Sequence, residues 1–490
     1  MPASRQISIG TKLAYGAGRM AFAAKDAAFV NFVMFYYTQV LGVSGTLTGL
    51  AALIGLCSDA LSDPIVGSFS DNYRSRYGRR HPLMAAALLP LAVSFVFLFS
   101  PPSSLGEFAT FVWLSLVSVL LRTCLTFFSI PHDALGAELS QDYEERSVIM
   151  GYKTSLAWLA GVALPTLSLA FVFQSQDGTD GRLIADNYAI YGSLSAVFVL
   201  IVGTITCVFT WKEIPHLPVP SSTPQAFRLR QPFIDMYQAL GNHNFRWLFV
   251  ALLFALGSSG VYVSLMLYVN TYFWEFSTQQ LALFAIPFLL ATATAFGLVK
   301  PLGRRLEKSQ ILLLSFGLII LNGGWWFSLR LIDVLPANGD PWLFPLALAQ
   351  SYVQVTCLVL SQIMVPSIVA DIVDEHEYHT GARKEGVFYA GHAFATKATT
   401  GLGQLFGGIV IDLIRLNPGA APGTLDADVV WNLGFIVGPV LSASFLLPLF
   451  LLSRIRLGRE RQAELRRLLD QRRNQATAPI APSAQPSKIG

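Results

Sequence analysis

Long apolar segments, separated by short polar connections, follow one another along almost the whole chain. A helix needs about 20 apolar residues to cross a hydrocarbon core about 30 Å thick. Twelve segments approach or exceed this length, at residues 13–41, 47–69, 83–100, 107–130, 147–173, 187–210, 245–273, 279–299, 310–330, 341–369, 386–414 and 429–453. The pattern predicts an all-α membrane protein with twelve transmembrane helices, the longer ones tilted or extending beyond the bilayer.

The composition agrees with a protein that crosses the lipid bilayer many times. Of the 490 residues, 53% are hydrophobic and 13% are charged, whereas soluble domains have about 25% charged residues. The net charge of +4 reflects membrane topology and gives no reason to expect nucleic acid as a partner. The four cysteines lie in apolar segments without metal-like spacing, so we interpret them as packing residues. The first apolar segment is too long for the core of a cleavable signal peptide.

Basic residues predict the orientation of the chain, because lysine and arginine mark the cytoplasmic side of a membrane protein. The connections 42–46 and 101–106 carry no charge, whereas the alternate connections and the C-terminal tail are basic. The basic residues concerned are Arg74, Arg76, Arg79, Arg80, Lys300, Arg304, Arg305, Lys308 and the arginines from Arg454 to Arg473. We therefore predict a protein of the inner (plasma) membrane with both termini in the cytoplasm.

A faint internal symmetry divides the chain into two halves. Gly78-Arg79-Arg80 follows the second segment, and Gly303-Arg304-Arg305 follows the eighth, the corresponding position of the second half. Two parallel six-helix repeats are typical of the major facilitator fold, whose ligand site lies near the midplane between them. We predict a first half at 1–211, a proline-rich cytoplasmic linker at 212–244, a second half at 245–453 and a cytoplasmic tail at 454–490.

The tail begins with charges of both signs and with leucines at helical spacing, from Ser453 to Asn474. This pattern fits a helix that lies along the membrane surface, and equally a solvated helix. Residues 475–490 have the composition of a disordered segment.

Two carboxylates, Asp59 and Asp63, stand four residues apart inside the second apolar segment. This spacing places both on one face of a helix, one turn apart. An ionised carboxylate at membrane depth costs at least about 2.5 kcal/mol, and two such groups also repel each other. A bound cation or a shared proton would offset this cost; the alternative is a structural pair held by neighbouring donors.

Further charges interrupt the first and the eleventh apolar segments. Lys25 and Asp26 are adjacent in the first segment, where their side chains point about 100° apart, so we expect each to need a partner on another helix or a ligand. An interhelical salt bridge that only holds the fold is the alternative, and Arg19 is a further cation on the same helix. Lys397 is the only charge between Glu385 and Asp412. We expect it to face the cavity, as a donor to substrate or as counter-ion to Asp59 or Asp63.

Aromatic and histidine residues allow two more hypotheses. Trp158 and Tyr352 lie deep in their segments, where a sugar ring could stack on either, although core packing is the favoured interpretation. Glu375, His376, Glu377 and His379 follow the tenth segment in a predicted loop. Their irregular spacing and the absence of a nearby cysteine argue against a metal site.

Ordered motifs across residues 12–452 resemble one known family. They are Lys12-Leu-Ala-Tyr15-Gly16, Phe35-Tyr36-Tyr37-Thr38, Asp59-Ala-Leu-Ser-Asp63-Pro64, Gly78-Arg79-Arg80, Ser129-Ile-Pro131, Ala370-Asp371-Ile372-Val373-Asp374, and Thr380-Gly381 with Glu385-Gly386-Val387-Phe388. In this order and spacing the chain resembles the glycoside–pentoside–hexuronide cation symporters. The resemblance implies a major facilitator fold and a transporter in which Asp59 and Asp63 carry the coupling cation.

Departures from the family pattern change the expected site. Ser62 replaces an amide, Ser129 replaces an acidic residue of the fourth helix, and Asp133 replaces a sugar-stacking aromatic residue. Ser62 and Ser129 each offer a hydroxyl oxygen, but the site has fewer ligands and less negative charge. These departures from the family pattern weaken the case for Na⁺ and favour H⁺ as the coupling ion. Asp133 would supply the missing charge if the fourth helix continues past Pro131.

The resemblance also implies substrate-binding residues. The Lys25-Asp26 pair resembles a family pair whose acid binds sugar hydroxyls, but it falls three residues late. Lys153 lies beside the position of a sugar-contacting arginine, and Lys397 matches a family lysine. Asp371, Asp374, Arg383 and Lys384 lie in a region that the family uses for gating. We predict that these four residues of the second half form salt bridges to the first half. Their partners there would lie in Arg74–Arg80, among them Arg79 and Arg80, and in Glu138–Arg146.

The sequence thus predicts a monomeric transporter that moves a glycoside or related sugar by alternating access, coupled to H⁺ or Na⁺ and without a cofactor. Its partners would be a small solute and the lipid bilayer. An amphipathic solute such as a lysolipid on the same fold is the first alternative. A membrane-embedded sensor or enzyme is the second, although no Ser/His/Asp set, phosphate loop or metal cluster supports it.

Overall fold

The computed structural model describes residues 7–140, 142–217, 231–381, 385–455 and 458–477. Within these residues the protein consists of helices and their connections and contains no β-sheet. The middle of the predicted linker, at 218–230, lies outside the described residues, as does 478–490 of the segment predicted to be disordered. The described ranges contain twelve long helical runs that cross the molecule, which confirms the predicted all-α fold and helix number.

Each predicted segment corresponds to one helical run. The runs are α1 (Ile9–Ala27, continuing in π-helical turns through Ala28–Val33 and Tyr36–Val40), α2 (Gly45–Asn72), α3 (His81–Phe99), α4 (Glu107–Leu139), α5 (Tyr143–Leu167, continuing through Ser168–Val172), α6 (Ala185–Thr210), α7 (His243–Tyr268, continuing through Val269–Phe273), α8 (Thr278–Arg305), α9 (Lys308–Leu331), α10 (Leu343–Thr380), α11 (Glu385–Leu413) and α12 (Ala427–Leu452). In the described part of the chain, ten are long and apolar enough to span a membrane by length and composition. The other two, α1 and α11, carry charges inside the bundle.

Two helices extend well beyond their apolar segments. Helix α4 continues through Pro131 to Leu139, and α10 runs for 38 residues before it ends at Gly381. Gly381 has φ 72°, a left-handed conformation that glycine adopts at helix ends without steric strain. The prediction that Glu375 to His379 form a loop is therefore wrong. Polar side chains continue a helix readily once it has left the apolar layer.

Hydrophobic packing divides the bundle into two halves. One core joins α1, α3, α4 and α6, and a second joins α7, α9, α10, α11 and α12. A third cluster connects α1 with α7 and α11 across the interface, around Phe35 and Tyr268. Helix α2 of the first half and α11 of the second also pack side by side. The two halves thus meet along α1, α2, α7 and α11.

The two ends of the bundle differ. We call the end with the connections 73–80 and 306–307 and the C-terminal tail the basic end, and the end with the connections 41–44, 100–106 and 414–426 the opposite end. The tail forms a helix, α13 (Arg459–Thr477), at the basic end. Leu465 and Leu469 of α13 are buried, and Arg466 pairs with Asp371 of α10. The tail therefore docks on the second half, where its leucines and its arginine find partners. Its position relative to the membrane surface stays a prediction.

Candidate transport site

Two adjoining cavities lie between the halves. The larger, of about 570 Å³, is enclosed by α1, α5, α7 and α8. The smaller, of about 270 Å³, is enclosed by α1, α2, α4 and α11. Arg19, Phe22, Asp26 and Val30 of α1 line both. A solute in the larger cavity would therefore share one helix face with the charged groups of the smaller one.

The carboxylates of α2 line the smaller cavity and each has a cationic partner. Asp59 Oδ2 lies 2.6 Å from Arg122 Nη1 of α4. Asp63 Oδ2 lies 2.5 Å from Lys397 Nζ of α11, and Asp63 Oδ1 accepts a hydrogen bond of 3.0 Å from the Thr126 hydroxyl. One carboxylate is thus paired within the first half, and the other is paired across the interface.

Sequence reasoning missed Arg122. It is the only charge of the fourth segment between Glu107 and Asp133, so the reasoning applied to Lys397 would have singled it out. Ionisable residues at membrane depth are rare and usually face the interior of a bundle. A lone arginine in this segment was therefore a signal for a partner on another helix.

No hydrogen bond is described between Ser62 or Ser129, the two serines predicted to lie beside the carboxylates, and Asp59 or Asp63. The Ser62 hydroxyl donates to Thr126 Oγ1 at 3.4 Å, and Thr126 in turn donates to Asp63. Ser129 lines the smaller cavity. A role for either hydroxyl in binding a coupling cation stays a prediction.

Lys25 and Asp26 pair with each other, so the expectation that adjacent residues on a helix would not meet is wrong. Lys25 Nζ lies 2.5 Å from Asp26 Oδ1. The four-carbon stem of lysine bends back past the angle between the two Cβ atoms, and its ammonium also lies over the Phe22 ring. Lys25 is buried while about half of Asp26 is exposed in the cavities. Asp26 therefore keeps oxygen surface for a ligand.

Asp133 lies on the continuous part of α4 beyond Pro131, but its charge is directed to α5 and α1. Lys153 Nζ is 2.5 Å from Asp133 Oδ1, and Arg19 Nη1 is 3.6 Å from Oδ2. Asp133 lines the smaller cavity together with Asp59 and Asp63, but these two cations offset its charge. That Asp133 supplies charge to the Asp59 and Asp63 site stays a prediction. Arg19 at 3.6 Å is too far for a good hydrogen bond to Asp133, which leaves its guanidinium able to contact a solute.

Trp158 and Tyr352 lie in different environments. The Trp158 side chain lines the larger cavity, and the residue is 45% exposed. Its ring centroid lies 6.0 Å from that of Phe288 in the other half. Tyr352 instead shares a hydrogen bond of 2.8 Å with Thr294 and joins α10 to α8. Of the two aromatic residues, Trp158 is placed to stack on a solute.

Contacts between the halves close the cavities toward the opposite end. Asp412 at the end of α11 accepts hydrogen bonds from the backbone N–H groups of Gly45 and Thr46 at 2.7 and 2.8 Å and from the Ser44 hydroxyl at 2.7 Å. Nearer the cavities, Tyr272 donates to Gln39 at 2.9 Å. Gly45 of α2 and Gly408 of α11 have no side chains, so the backbones of the two helices are in direct contact here. Asp412 caps the start of α2, a role that the sequence alone did not indicate.

A loop contact reinforces this closure. Arg182, in the connection before α6, pairs with Asp180 at 2.6 Å and donates to the Phe276 carbonyl of the second half at 2.9 Å. Burial raises the pKa of the Asp180 carboxyl, but the hydrogen bonds and charge of Arg182 outweigh it and hold that pKa below its usual value. The ionised form of Asp180 is therefore favoured by the fold.

We expect Asp180→Asn to lower the melting temperature at neutral pH and to have little effect in acid. Because folding lowers the pKa of Asp180, its ionised form stabilises the protein above the unfolded value of about 4, and this contribution is lost as the pH falls through the folded value. Thermal unfolding of the purified protein at both pH values measures this. Asp177→Asn in the same connection is the control, and a difference that grows in acid would contradict the assignment.

Charged groups at the basic end pair within their own half. Arg79 and Arg80 both bind Glu138, at 2.6 and 2.8 Å. Asp371 binds Lys308 at 2.6 Å and Arg466 of the tail at 3.2 Å. The predicted salt bridges from Arg79, Arg80 and Asp371 to the other half are therefore wrong for this conformation, because contacts that close the opposite end leave these groups to find partners locally.

The other predicted gating residues are placed differently. Asp374 lies 3.3 Å from Arg466 and accepts a hydrogen bond from Gln462, both of the tail. Arg383 and Lys384 lie outside the described residues. The ion pair between Asp63 and Lys397 is accessible to solvent, since its side chains are 25% and 54% exposed. Because the contacts described above close the opposite end, we infer that the cavities open toward the basic end.

Twelve helices in two halves, with charged cavities between them that are closed at one end, define a secondary transporter of the major facilitator superfamily. The sequence pattern of the family described as "MFS/sugar transport protein" matches residues 14–459. The chain belongs to this family, whose members are transporters rather than enzymes.

Three similar proteins are informative. The inner membrane symporter YicJ of Escherichia coli is 27% identical, over 83% of this chain and 82% of its own. The sphingosine-1-phosphate transporter MFSD2B of Mus musculus is 23% identical, over 91% and 89%. The structure of the xylose transporter XylE from E. coli, partially occluded and inward open, superposes with a TM-score of 0.55 at 13% identity, covering 91% of this chain and 99% of that one. The first two are named as a symporter and a transporter, which agrees with the family, and the third supports the fold.

Proposed function

We propose that this protein is a proton-coupled symporter that moves a glycoside or related sugar into the cell. The single observation that carries the proposal is the ion pair between Asp63 and Lys397. It joins the two halves at 2.5 Å, beside a cavity large enough for a small solute. Because the pair spans the interface between the halves, its formation or release can be linked to the motion that alternates access between the ends.

In the proposed cycle the charge of Asp63 is neutralised in one way when the carrier is loaded and in another when it is empty. In the loaded carrier a proton occupies Asp63, and Lys397 is released from it. In the empty carrier the Lys397 ammonium replaces the proton. An uncompensated carboxylate at this depth would be costly, so Asp63 changes access either protonated or paired with Lys397. Symport follows if the solute binds when the Lys397 ammonium is released from Asp63 and can donate hydrogen bonds to the solute.

The solute site that we propose lies in the larger cavity. The half-exposed Asp26 carboxylate accepts hydrogen bonds from sugar hydroxyls, and the Arg19 guanidinium donates hydrogen bonds to sugar oxygens. The Trp158 ring offers an apolar surface to one face of the sugar ring. Asp26 and Arg19 also line the cavity of the ion pair, which brings solute and coupling site together.

We propose that the basic end faces the cytoplasm. Arginine and lysine are concentrated in the connections and the tail at this end, as the positive-inside rule requires. Both termini then lie in the cytoplasm, and the conformation described is open to the inside. When the halves close at this end, Arg79, Arg80 and Asp371 come within reach of new partners.

Uptake into vesicles tests the proposal. Purified protein is reconstituted, and a panel of labelled glycosides, pentosides and uronides is offered under an imposed H⁺ or Na⁺ gradient. We expect accumulation of one sugar that follows the H⁺ gradient and collapses with a protonophore. Vesicles that contain folded protein and accumulate none of the sugars under either gradient would overturn the sugar assignment.

An amphipathic anion, such as a lysolipid, is the second candidate. Val30, Leu169, Met266 and Phe284 give the larger cavity an apolar wall, and Arg19 places a cation at its edge. MFSD2B, a relative over most of the chain, is named for a phosphorylated lipid. A lysophospholipid and sphingosine-1-phosphate therefore belong in the same uptake panel, and accumulation of one of them without any sugar would select this candidate.

We expect Trp158→Ala to raise the half-saturating sugar concentration roughly fivefold, because an aromatic stacking contact contributes about 1 kcal/mol. The maximal rate should change little, since Trp158 touches neither inner carboxylate. Concentration-dependent uptake measures both quantities. Trp431→Ala is the matched control, because Trp431 is 46% exposed but lines neither cavity. Equal effects of the two substitutions would refute a stacking role for Trp158.

A further inference from the structure

We propose that Arg122 acts as a tethered cation that takes the place of a metal ion beside Asp59. In this arrangement the protein supplies from its own chain the positive charge that a sodium ion would bring. The inference rests on the proposed function and adds the residue that decides which coupling ion the transporter uses. Arg122 makes the transporter independent of Na⁺ and leaves Asp63 as the carboxylate open to a coupling ion.

The guanidinium is held in direct contact with the carboxylate. Arg122 Nη1 lies 2.6 Å from Asp59 Oδ2, within the short range of a charge-assisted hydrogen bond. The Arg122 side chain is 5% exposed and that of Asp59 is 17% exposed. A hydrated ion that approached Asp59 would therefore have to displace a buried, covalently attached cation.

The surrounding residues provide space for this side chain. Gly55 lies one turn before Asp59 on α2, and a Cβ atom there would stand 3.1 Å from both Cδ and Nε of Arg122. Contacts this short are tighter than most real Cβ atoms make, so a larger residue at position 55 would press on the arginine stem. The guanidinium carbon also lies 4.8 Å from the centre of the Phe29 ring, a distance at which a cation is attracted to the ring face.

The charges around α2 are already balanced. Arg122 opposes Asp59, and Lys397 opposes Asp63. A metal ion added to these four groups would give them a net positive charge in a weakly polar environment, where like charges repel strongly. A metal ion also requires free oxygen atoms, and Asp63 already directs one oxygen to Lys397 and the other to Thr126.

The two cations differ in what they can do during a cycle. Arginine stays protonated at every physiological pH, and Arg122 belongs to the same half as Asp59, so rocking of the halves does not separate them. Lys397 belongs to the other half, and its side chain is 54% exposed. Arg122 is therefore a permanent partner, and Lys397 is an exchangeable one.

The test compares the response to Na⁺ of variants that remove the arginine charge or preserve it. Arg122→Met removes the cation while keeping an unbranched side chain, and Arg122→Lys keeps a cation in place. Melting temperatures of the purified proteins are measured in sodium chloride and in choline chloride at equal ionic strength. We expect Na⁺ to stabilise Arg122→Met specifically and to leave both the wild type and Arg122→Lys unchanged.

A double variant supplies the matched control. Asp59→Asn combined with Arg122→Met removes both charges and should lose the response to Na⁺, because no carboxylate at position 59 remains to bind it. In vesicles that transport a solute, Na⁺ should increase uptake by Arg122→Met at least about tenfold, the scale of restoring a partner to a buried charge, and should change wild-type uptake less than twofold.

Three results would overturn the proposal. They are a Na⁺-specific stabilisation of the wild type, the absence of such stabilisation in folded Arg122→Met, and its persistence in the double variant. If Arg122→Met does not fold in choline chloride, folding that is restored by Na⁺ supports the proposal, and failure in both salts while the double variant folds opposes it. The melting measurements need no solute, so they test the role of Arg122 even if no transported sugar is found.

Discussion

Uphill accumulation of solute is expected to disappear in Asp63→Asn, while exchange of solute across the membrane continues. Asparagine cannot release or take up a proton in this range, so it resembles the protonated carboxylate in every step. The carrier can then change access with solute, but the proton gradient no longer drives it. The inside-to-outside ratio of labelled solute should fall to unity, and exchange of internal for external solute should be retained.

Asp59→Asn should also lose accumulation, for a different reason. This substitution leaves the buried Arg122 without its carboxylate, and removing one partner of a buried ion pair destabilises by about 3–5 kcal/mol. Exchange should therefore fall along with accumulation, in contrast to Asp63→Asn.

Both variants are measured under the same imposed H⁺ gradient, together with Asp333→Asn, whose carboxylate is 92% exposed in a connection. Accumulation that survived in both Asp59→Asn and Asp63→Asn would show that the coupling assignment is wrong.

Gly49→Val is expected to prevent closure of the opposite end and to reduce transport by about 100-fold. A Cβ atom at position 49 would lie 2.6 Å from the Gln404 carbonyl oxygen and 2.6 Å from Leu405 Cα. These are backbone atoms of α11, so the helices must move apart rather than a side chain turn away. Overpacking of this kind costs about 3 kcal/mol, which corresponds to a factor of about 100 in the population of the closed state.

Thiol labelling detects the shift in conformation. Thr38 is buried where the halves meet at this end, so a Thr38→Cys reporter, in a background without the native cysteines, should react slowly with a membrane-impermeant maleimide. When Gly49→Val is added to this background, the cysteine at position 38 should react quickly with maleimide supplied on the side of the membrane that the opposite end faces. Gly317→Val is the control, because a Cβ there meets nothing within 4 Å. Unchanged labelling together with full transport would refute the role of this contact.

The sequence predicted the helices because each crosses an apolar layer and must keep its backbone hydrogen bonds within itself. Asp59, Asp63 and Lys397 were recognisable for the same reason, since charge in such a layer demands a partner. The sequence did not say which partner. Lys397 was left with two possible carboxylates, and Arg122 was overlooked altogether, because pairing depends on which helices are neighbours.

The remaining errors concern the partners that charged groups take. Asp371 pairs within its half and Lys25 pairs with its own neighbour, because a long basic side chain can reach several acidic groups at similar cost. Asp412 binds three donors at the start of α2, a contact between positions more than 360 residues apart. A single sequence carries no record of such a distant contact.

The ion pair between Asp63 and Lys397 has a consequence for the response to membrane voltage. In a proton-coupled cycle the empty carrier moves with these two charges cancelled, so an electric field exerts little force on its return. The loaded carrier holds a neutral Asp63 and an unpaired ammonium, and it therefore moves one positive charge inward. A potential of 100 mV, negative inside, contributes about 2.3 kcal/mol to that step. The membrane potential of the cell would thus drive the step in which the loaded carrier changes access and have little effect on the return of the empty carrier.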